Sequence, residues 1–179
     1  MIMIFNKATF LSVVTLLLIC TFTVQDRLLK KVKKEIEKTY SIKVFDMQPV
    51  LIDTEVLNVL SKKIKPNTLF KIIKDNLLIG YAFVDKAPSK TDQFDYLILL
   101  DKDLIIAKAK VLVYREDYGG EIGSKRWLKQ FIGKKPTDNL KYERDIIAIS
   151  GATISAHSMT RAIHAFLKNI EILHQKNIL

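Results

Sequence analysis

The sequence predicts an α+β fold in which helices pack against an antiparallel sheet, preceded by a single N-terminal transmembrane helix. Three observations predict it. Residues 8–24 contain no charged side chain. The strand-like runs that follow come in pairs joined by short polar turns, which is typical of antiparallel hairpins. Strands do not alternate with helices along the chain, so a doubly wound parallel sheet is not expected.

Residues 1–24 are predicted to be a membrane anchor, or an uncleaved signal sequence. The uncharged run over residues 8–24 is near the short end of the roughly 17–25 residues that a spanning helix needs. A cleaved signal peptide would end in a small-x-small site, and the residues after the apolar core, TFTVQ, do not provide one. Cys20 is expected to lie in the span without a lipid, because Ile19 before it is not small.

Residues 25–40 are predicted to form a basic helical stalk. Leu28, Val32 and Ile36 recur at every fourth position and make one narrow apolar stripe, while lysines occupy most of the remaining surface. Two interpretations remain compatible. The helix continues the membrane span as a solvated stalk, or it lies on anionic lipid headgroups as an amphipathic helix.

The body begins near residue 41. Asp53 or Thr54 is expected to cap a short helix that ends before Pro66. Residues 69–74 and 77–84 predict a hairpin around a two-residue turn, and residues 94–100 and 104–115 predict a second strand pair. One face of the last strand is expected to carry four apolar residues: Ala107, Ala109, Val111 and Val113.

Helices and turns dominate the rest of the body. A glycine-rich turn over residues 116–123 precedes a short helix, residues 124–132, which Ser124 is expected to cap. Residues 146–150 read as a short strand. The strongest helix runs from Ser155 to about Asn169 or beyond, and its core-facing side chains follow the helical spacing: Met159, Ile163, Phe166, Leu167 and Ile170.

Composition excludes several classes of function. The single cysteine rules out a disulfide framework and a cysteine-rich metal site. The three histidines lack an H-x-x-x-H spacing, so no metal site is predicted, and no catalytic residue is identified. A net charge of +10 permits contact with nucleic acid or an anionic membrane. Because much of this charge lies in the stalk and lacks interleaved aromatics, we expect no nucleic-acid partner.

The segment Ser150-Gly151-Ala152-Thr153-Ile154-Ser155 joins the last predicted strand to the long helix. Its two smallest residues would let an anion approach the backbone, and the helix start would offer free N–H groups to a phosphate. Hydroxyls on Thr153 and Ser155 would bond or esterify that phosphate. From the residues alone, a phosphate site and an ordinary capped turn remain alternatives.

Ser150-Gly151-Ala152-Thr153 matches the S/T-G-A-T signature of FMN-binding domains that carry covalent flavin, and the chain resembles this family from about residue 69 onward. The family includes the C subunit of the sodium-translocating NADH:quinone reductase and the G subunit of Rnf-type complexes. The resemblance implies that Thr153 is linked to FMN through a phosphoester, which a dedicated flavin transferase makes from FAD. An N-terminal span before the domain is also the family layout.

Two further segments support the resemblance. The turn that follows Glu116 is similar to the family's E-T-P-G-L-G segment, although it is longer and lacks the proline. Residues 127–131 resemble its W-x-x-Q-F helix. The sequence departs from the pattern D-x-x-S-G-A-T at Ile147, where the family usually has an aspartate; the nearest acid is Asp145.

The resemblance implies a membrane-anchored flavoprotein that transfers electrons within a respiratory or Rnf/Nqr-like redox chain, as a subunit and not as a stand-alone catalyst. Residues 41–179 would be the FMN-binding domain. The residues implied at the cofactor are Thr153, with Ser150, Gly151, Ala152 and Ser155 around the phosphate, and Tyr118 and Ile122 at the flavin ring.

The resemblance also implies partners and a location. The implied partners are the membrane, the flavin transferase and redox proteins of the same complex. A single-pass protein of the inner (plasma) membrane is expected, with its body outside the cytoplasm, although the basic residues after the span would by themselves favour the cytoplasm. The alternative, motivated by Ile147, is a membrane-tethered binding module with the same fold and no flavin.

Overall fold

The computed structural model describes residues 26–179, and the anchor predicted over residues 1–24 lies outside them. The chain divides into two units, residues 1–35 and 36–179. Within the described part of the chain, no helix is both long and apolar enough to cross a bilayer.

Residues 26–40 form the first helix, α1, as predicted for this segment. Val32 and Ile36 of the apolar stripe are buried and Leu28 is half-buried. At the end of the helix, the Tyr40 hydroxyl donates a hydrogen bond to the carbonyl oxygen of Leu100, at 2.7 Å. Burial, together with the nearby carboxylate of Asp101, raises the pKa of Tyr40.

The second unit is built on one five-stranded sheet in which every strand pairs antiparallel with the next, giving a simple meander. This confirms the predicted α+β class with an antiparallel sheet packed against helices. The strands are β1 (Asp46–Pro49), β2 (Leu69–Lys74), β3 (Leu77–Pro88), β4 (Gln93–Asp101) and β5 (Ile106–Val113).

The turn between β2 and β3 follows from its two residues. Asp75 and Asn76 have φ angles of 50° and 62°. Two successive positive φ values characterise the turn that matches the twist of paired strands, and Asp and Asn tolerate this conformation. The predicted hairpin is therefore confirmed. Strand β1 was not predicted, because it is short, mostly exposed and ends at Pro49 on the sheet edge.

The apolar face predicted for the last strand is wrong. The pairing of β5 with β4 shifts register twice, at Ala107 and at Leu112. Each bulge inserts one extra residue and so reverses the alternation of side chains that follows it. As a result, Ile106, Ala109 and Leu112 are buried, while the other predicted members of the face are only half-buried.

Helix α4 (Thr153–Gln175) covers the sheet and supplies much of the core. Its five predicted core side chains are all buried, which confirms the helical spacing. Phe166 stacks on Phe83 of β3 with ring centroids 4.1 Å apart and planes 4° from parallel. A shorter helix, α2 (Thr54–Val59), precedes β2, and Ser61 after it donates a hydrogen bond to the Asn169 side chain at 2.8 Å.

The segment between β5 and α4 folds as turns and short helices. A 3₁₀ turn (Gly120–Gly123) leads into α3 (Lys125–Leu128) and a second 3₁₀ turn (Lys129–Phe131). The Ser124 hydroxyl accepts a hydrogen bond from the Trp127 N–H at 3.4 Å, which confirms the predicted cap. The strand predicted over residues 146–150 is wrong, because only Ile146 forms an isolated bridge, with Tyr142.

Candidate functional site

Helix α4 begins at Thr153, two residues before the predicted start, and its N-terminus has no capping side chain. Ala152 occupies the N-cap position with φ −131° and ψ 28°. The first N–H groups of any helix lack an intrahelical acceptor, and an alanine cap forgoes about 1 kcal/mol relative to Ser, Thr, Asp or Asn. These N–H groups and the positive end of the helix dipole are available to an anion.

The turn before the helix requires glycine at residue 151. Gly151 has φ +81°, and a Cβ there would lie 3.3 Å from Oε2 of Glu121. The glycine-rich turn over residues 116–123 is also closely packed. A Cβ at Gly119, which has φ +82°, would lie 2.6 Å from the Tyr114 hydroxyl and 3.4 Å from the Gly151 carbonyl oxygen. Both glycine turns therefore meet beside the start of α4.

The structure brings together the five residues predicted around the phosphate but gives them different surroundings. Ser150, Gly151 and Thr153 are exposed, whereas Ala152 and Ser155 are buried. The Ser155 hydroxyl faces the Tyr114 hydroxyl at 3.1 Å. Thr153 is thus exposed at the first helical position, while the Ser155 side chain is part of the packing.

The two residues predicted at the flavin ring lie on the neighbouring turn. Tyr118 is 85% exposed. Ile122 is fully buried in the hydrophobic core. Trp127 is also buried, with its ring edge-to-face on Phe131 at a centroid distance of 5.2 Å, so it packs in the core. The contacts of Tyr118 and Ile122 with a ring stay predictions.

Ile147, where the chain departs from the family pattern, is held in place by hydrogen bonds of its backbone. The indole N–H of Trp127 donates to the Ile147 carbonyl oxygen at 2.8 Å, and the Ile147 N–H donates to Oε1 of Gln130 at 2.7 Å. The Ile147 side chain itself is 73% exposed. Because helix side chains occupy both backbone groups, this segment cannot pair as the predicted strand.

A cleft of about 660 Å³ opens directly beside Thr153. This volume is within the range of about 300–1,000 Å³ that is usual for small-molecule sites. Its walls are the 140–143 segment and one face of α4: Leu140, Lys141, Tyr142, Glu143, Thr153, Ile154, His157, Thr160 and Arg161.

The sequence analysis did not predict this cleft. Thr153, His157 and Arg161 are four residues apart along α4 and therefore share a face, a signal that the sequence does contain. The opposite wall has no such signal, because the fold places Tyr142 there from a loop. The Tyr142 and His157 rings meet edge-to-face at a centroid distance of 5.4 Å and an angle of 82°.

The cleft is cationic on balance. Lys141 and Arg161 line it, and Glu143 is the one carboxylate among its described lining residues. Within residues 26–179, the Arg161 guanidinium has no hydrogen bond or ion pair. Together with the uncapped helix start, these charges favour an anionic ligand.

Glu116 links the glycine turn to the β3–β4 loop through hydrogen bonds. Its Oε1 accepts hydrogen bonds from the Ser89 hydroxyl at 2.6 Å, the Thr91 N–H at 2.7 Å and the Asp92 N–H at 3.0 Å. These bonds, the one from Ser89 first, lower the pKa of Glu116 to about 2. In the same region the Ser158 hydroxyl of α4 donates to the Pro88 carbonyl oxygen.

The described residues contain no group of three or more histidine, cysteine, aspartate or glutamate side chains placed to hold a metal ion. The fold and site thus define a small α+β domain whose uncapped helix start and cationic cleft suit an anionic small molecule. Residues 90–168 match the family model of the FMN-binding domain.

This match confirms the resemblance, and the matched segment contains the glycine turn, the Ser150–Thr153 motif and the cleft. This part of the chain is thus similar to an FMN-binding domain, and the similarity supports a flavin-binding role with FMN as the cofactor. No curated protein matches the chain with significant sequence similarity.

Proposed function

We propose that this protein is a membrane-anchored flavoprotein whose FMN is esterified to Thr153 and which transfers electrons within an Rnf/Nqr-like or other respiratory redox chain. The observation that supports it best is the position of Thr153. This exposed threonine is the first residue of an uncapped 23-residue helix and lines a cleft of ligand size.

The residues present fit a phosphate group at this point. A side chain at Gly151 would be strained by its φ of +81° and would crowd Glu121, so the turn into the helix requires glycine. The helix N–H groups that Ala152 does not cap would donate to phosphate oxygens. Ser150 is exposed next to them and would add a hydroxyl donor.

Bound FMN supplies a ring that accepts and donates electrons, and the protein determines where the ring lies and how strongly it is held. A covalent bond at Thr153 retains the cofactor in a cleft that remains open to solvent. Ser155, which is buried against Tyr114, keeps the first helical turn in place and does not itself contact the phosphate. Thr153 therefore anchors the cofactor and performs no catalytic step.

The attachment is tested by expressing the chain with a flavin transferase and measuring in-gel flavin fluorescence and intact mass. The wild type should gain the mass of FMN minus water, and Thr153→Ala should not. Thr153→Ser tests whether a hydroxyl suffices. Thr137→Ala, at an exposed threonine in a loop, is the matched control and should be fluorescent.

Fluorescence retained by Thr153→Ala would exclude this residue as the acceptor. An unmodified wild-type mass would instead support a tethered binding module that uses the fold without flavin. The aspartate that the family usually has at residue 147 makes Ile147→Asp the informative variant in that case.

The membrane part of the proposal depends on residues 8–24, whose uncharged sequence is long enough for one span. We place the domain outside the cytoplasm, as in the family that the chain resembles. Alkaline phosphatase fused after residue 40 should be active, because this enzyme folds only outside the cytoplasm. A silent phosphatase fusion, with an active cytoplasmic reporter at the same site, would place the domain inside.

The proposed electron transfer is tested in membranes from the native host. A strain that lacks the protein should lose a reductase activity that the wild-type gene restores and the Thr153→Ala gene does not. Equal restoration by both genes would exclude a role for the attached flavin in that activity.

A further inference from the structure

We infer that a second cleft, at the opposite end of α4 from Thr153, binds an apolar molecule that carries a carboxylate, with Tyr81 and Lys135 as the side chains that bind its polar end. The cleft has a volume of about 630 Å³, which suits a small molecule. Its walls come from β3, the β4–β5 turn, the 135–137 loop and the end of α4. Gln175, in its wall, is about 33 Å along the helix axis from Thr153, so the inference goes beyond the proposed function and does not depend on the flavin.

The Tyr81 hydroxyl is a hydrogen-bond donor that the fold leaves without an acceptor. Tyr81 lines the cleft and is 2% exposed, and its hydroxyl makes no hydrogen bond within residues 26–179. Burial raises the pKa of Tyr81 above its ordinary value of 10.0, so the hydroxyl stays protonated at neutral pH. A buried polar group without a partner is costly, and an acceptor oxygen on a bound molecule would remove that cost.

The charged side chains of this cleft leave one cation without a partner. The Lys102 ammonium pairs with Asp103 at 2.9 Å, and Glu171 pairs with Lys168 at 3.0 Å. Lys135 is exposed and has no ion pair in the part of the chain that the structure describes. An ammonium group beside a hydroxyl donor favours an anionic acceptor, and a carboxylate is the simplest group of that kind.

The rest of the lining favours an apolar body for the ligand. Tyr81 and Leu104 belong to the hydrophobic core, and Leu78 packs against it. A ligand in the cleft would therefore extend the core outward and remove apolar surface from water. The apolar side chains that line the cleft come from every wall: Leu78, Tyr81, Leu104, Ile105, Pro136 and Leu179.

Hydrogen bonds fix the wall that the β4–β5 turn provides. Oδ1 of Asp101 accepts from the N–H groups of Asp103 and Ile105, at 3.0 Å and 2.9 Å. Between them, Leu104 has a φ of 64°, a left-handed conformation that leucine seldom adopts. The turn is therefore held in one conformation, and it presents Leu104 and Ile105 to the cleft without a ligand.

The two other walls are fixed in the same way. The Lys135 N–H donates to Oδ2 of Asp138 at 3.0 Å, which holds the 135–137 loop. At the end of α4, the carbonyl oxygens of residues 172–174 accept hydrogen bonds from the N–H groups of residues 176–178. Because these last helical carbonyl groups already have donors, they oppose an anion in the cleft less than free carbonyl groups would.

The experiment measures equilibrium binding to the full chain in lipid nanodiscs, with the signal of empty nanodiscs subtracted. The chain carries no tag after Leu179, because this residue lines the cleft. The probes are octanoate, 4-phenylbutanoate and 2-naphthoate, each compared with its uncharged amide. At least one carboxylate should bind saturably, at one site per chain and more tightly than its amide.

Three variants locate that binding. Tyr81→Phe should weaken it about tenfold, the effect of losing one hydrogen bond to a charged group. Lys135→Gln should weaken it about threefold, because an exposed charge contributes less, and should leave binding of the amide unchanged. Arg161→Gln makes the same change of charge in the cleft beside Thr153 and should have no effect.

Wild-type affinity in both Tyr81→Phe and Lys135→Gln, or a loss in Arg161→Gln, would place the ligand elsewhere and overturn the inference. The absence of saturable binding for all three carboxylates would also overturn it. The Thr153→Ala chain should bind like wild type, so failure of flavin attachment and failure of this inference are separate results. Binding that is lost in Thr153→Ala would contradict a site at the far end of α4.

Discussion

The hydroxyl of Tyr114 lies 3.1 Å from the hydroxyl of Ser155. Tyr114 directly follows β5, and Ser155 is in the first turn of α4, so this contact joins the last strand to the start of the helix that bears Thr153. The same tyrosine hydroxyl borders Gly119, where a Cβ would approach it to 2.6 Å. Strand, glycine turn and helix start therefore meet at one oxygen atom.

This contact predicts coupling between the two residues. Tyr114→Phe and Ser155→Ala should each lower the free energy of unfolding by about 1 kcal/mol, because each leaves a polar group without its partner. The double variant should be less destabilised than the sum of the two, by about 0.5–1.5 kcal/mol. Urea denaturation of all four proteins measures the coupling, and strictly additive losses would show that the hydroxyls do not interact.

Alanine substitutions at Gly151 and Gly120 form a matched pair that tests whether the turn before α4 requires a left-handed backbone. Gly151→Ala should lower the free energy of unfolding by about 1–2 kcal/mol, because a residue with a Cβ is strained at a φ of +81°. It should also reduce flavin attachment at Thr153. Gly120→Ala should be neutral or slightly stabilising, since a Cβ there meets nothing within 4 Å. Equal effects of the two substitutions would contradict the requirement for a left-handed turn.

Glu116 predicts a pH dependence of stability. Hydrogen bonds lower the pKa of its folded-state carboxyl group to about 2, from an ordinary value of 4.5. Its stabilising contribution is therefore complete above pH 4.5 and is lost as the pH falls toward 2. Glu116→Gln should be less stable than wild type at pH 7, and the difference between the two should shrink over that interval.

The neighbouring exposed carboxylate gives the control for this measurement. Asp117→Asn changes the charge by the same amount without removing the bonds to Ser89, Thr91 and Asp92. Its stability difference from wild type should be smaller than that of Glu116→Gln at pH 7. A Glu116→Gln difference that is constant from pH 7 to pH 2.5 would refute the assignment.

Substitutions of Trp127 and Ile147 test whether backbone hydrogen bonds hold the segment before the Ser150–Thr153 motif in place. Trp127→Phe removes the indole N–H that donates to the Ile147 carbonyl oxygen, and it should cost about 1 kcal/mol of unfolding free energy while leaving an aromatic ring on Phe131. Ile147→Asp changes a side chain that is 73% exposed, so its effect should be within about 0.5 kcal/mol. Chemical denaturation compares the two, and a larger loss in Ile147→Asp would reverse this interpretation.

The sequence predicted those parts of the fold that depend on residues close together in the chain. Asp75 and Asn76 define a tight turn by their own backbone preferences, and the four-residue repeat of apolar side chains predicts which face of α4 is buried. The bulges in β5 had no such signal, because they arise where the strand adjusts to its partner, β4. The same holds for Ile147, whose backbone bonds go to α3 and the adjoining 3₁₀ turn and not to a neighbouring strand.

By itself, the sequence determined the antiparallel α+β class and the Ser150–Thr153 motif, since alternation, turn residues and a short signature are all encoded over a few positions. It also predicts, outside the described residues, the anchor over residues 1–24. Only the tertiary structure decided that Ser155 is used for packing, that Ile122 is buried, and that Tyr142 lies across a cleft from Arg161. These outcomes depend on which distant segments the packed core brings together, and no local pattern of side chains specifies that.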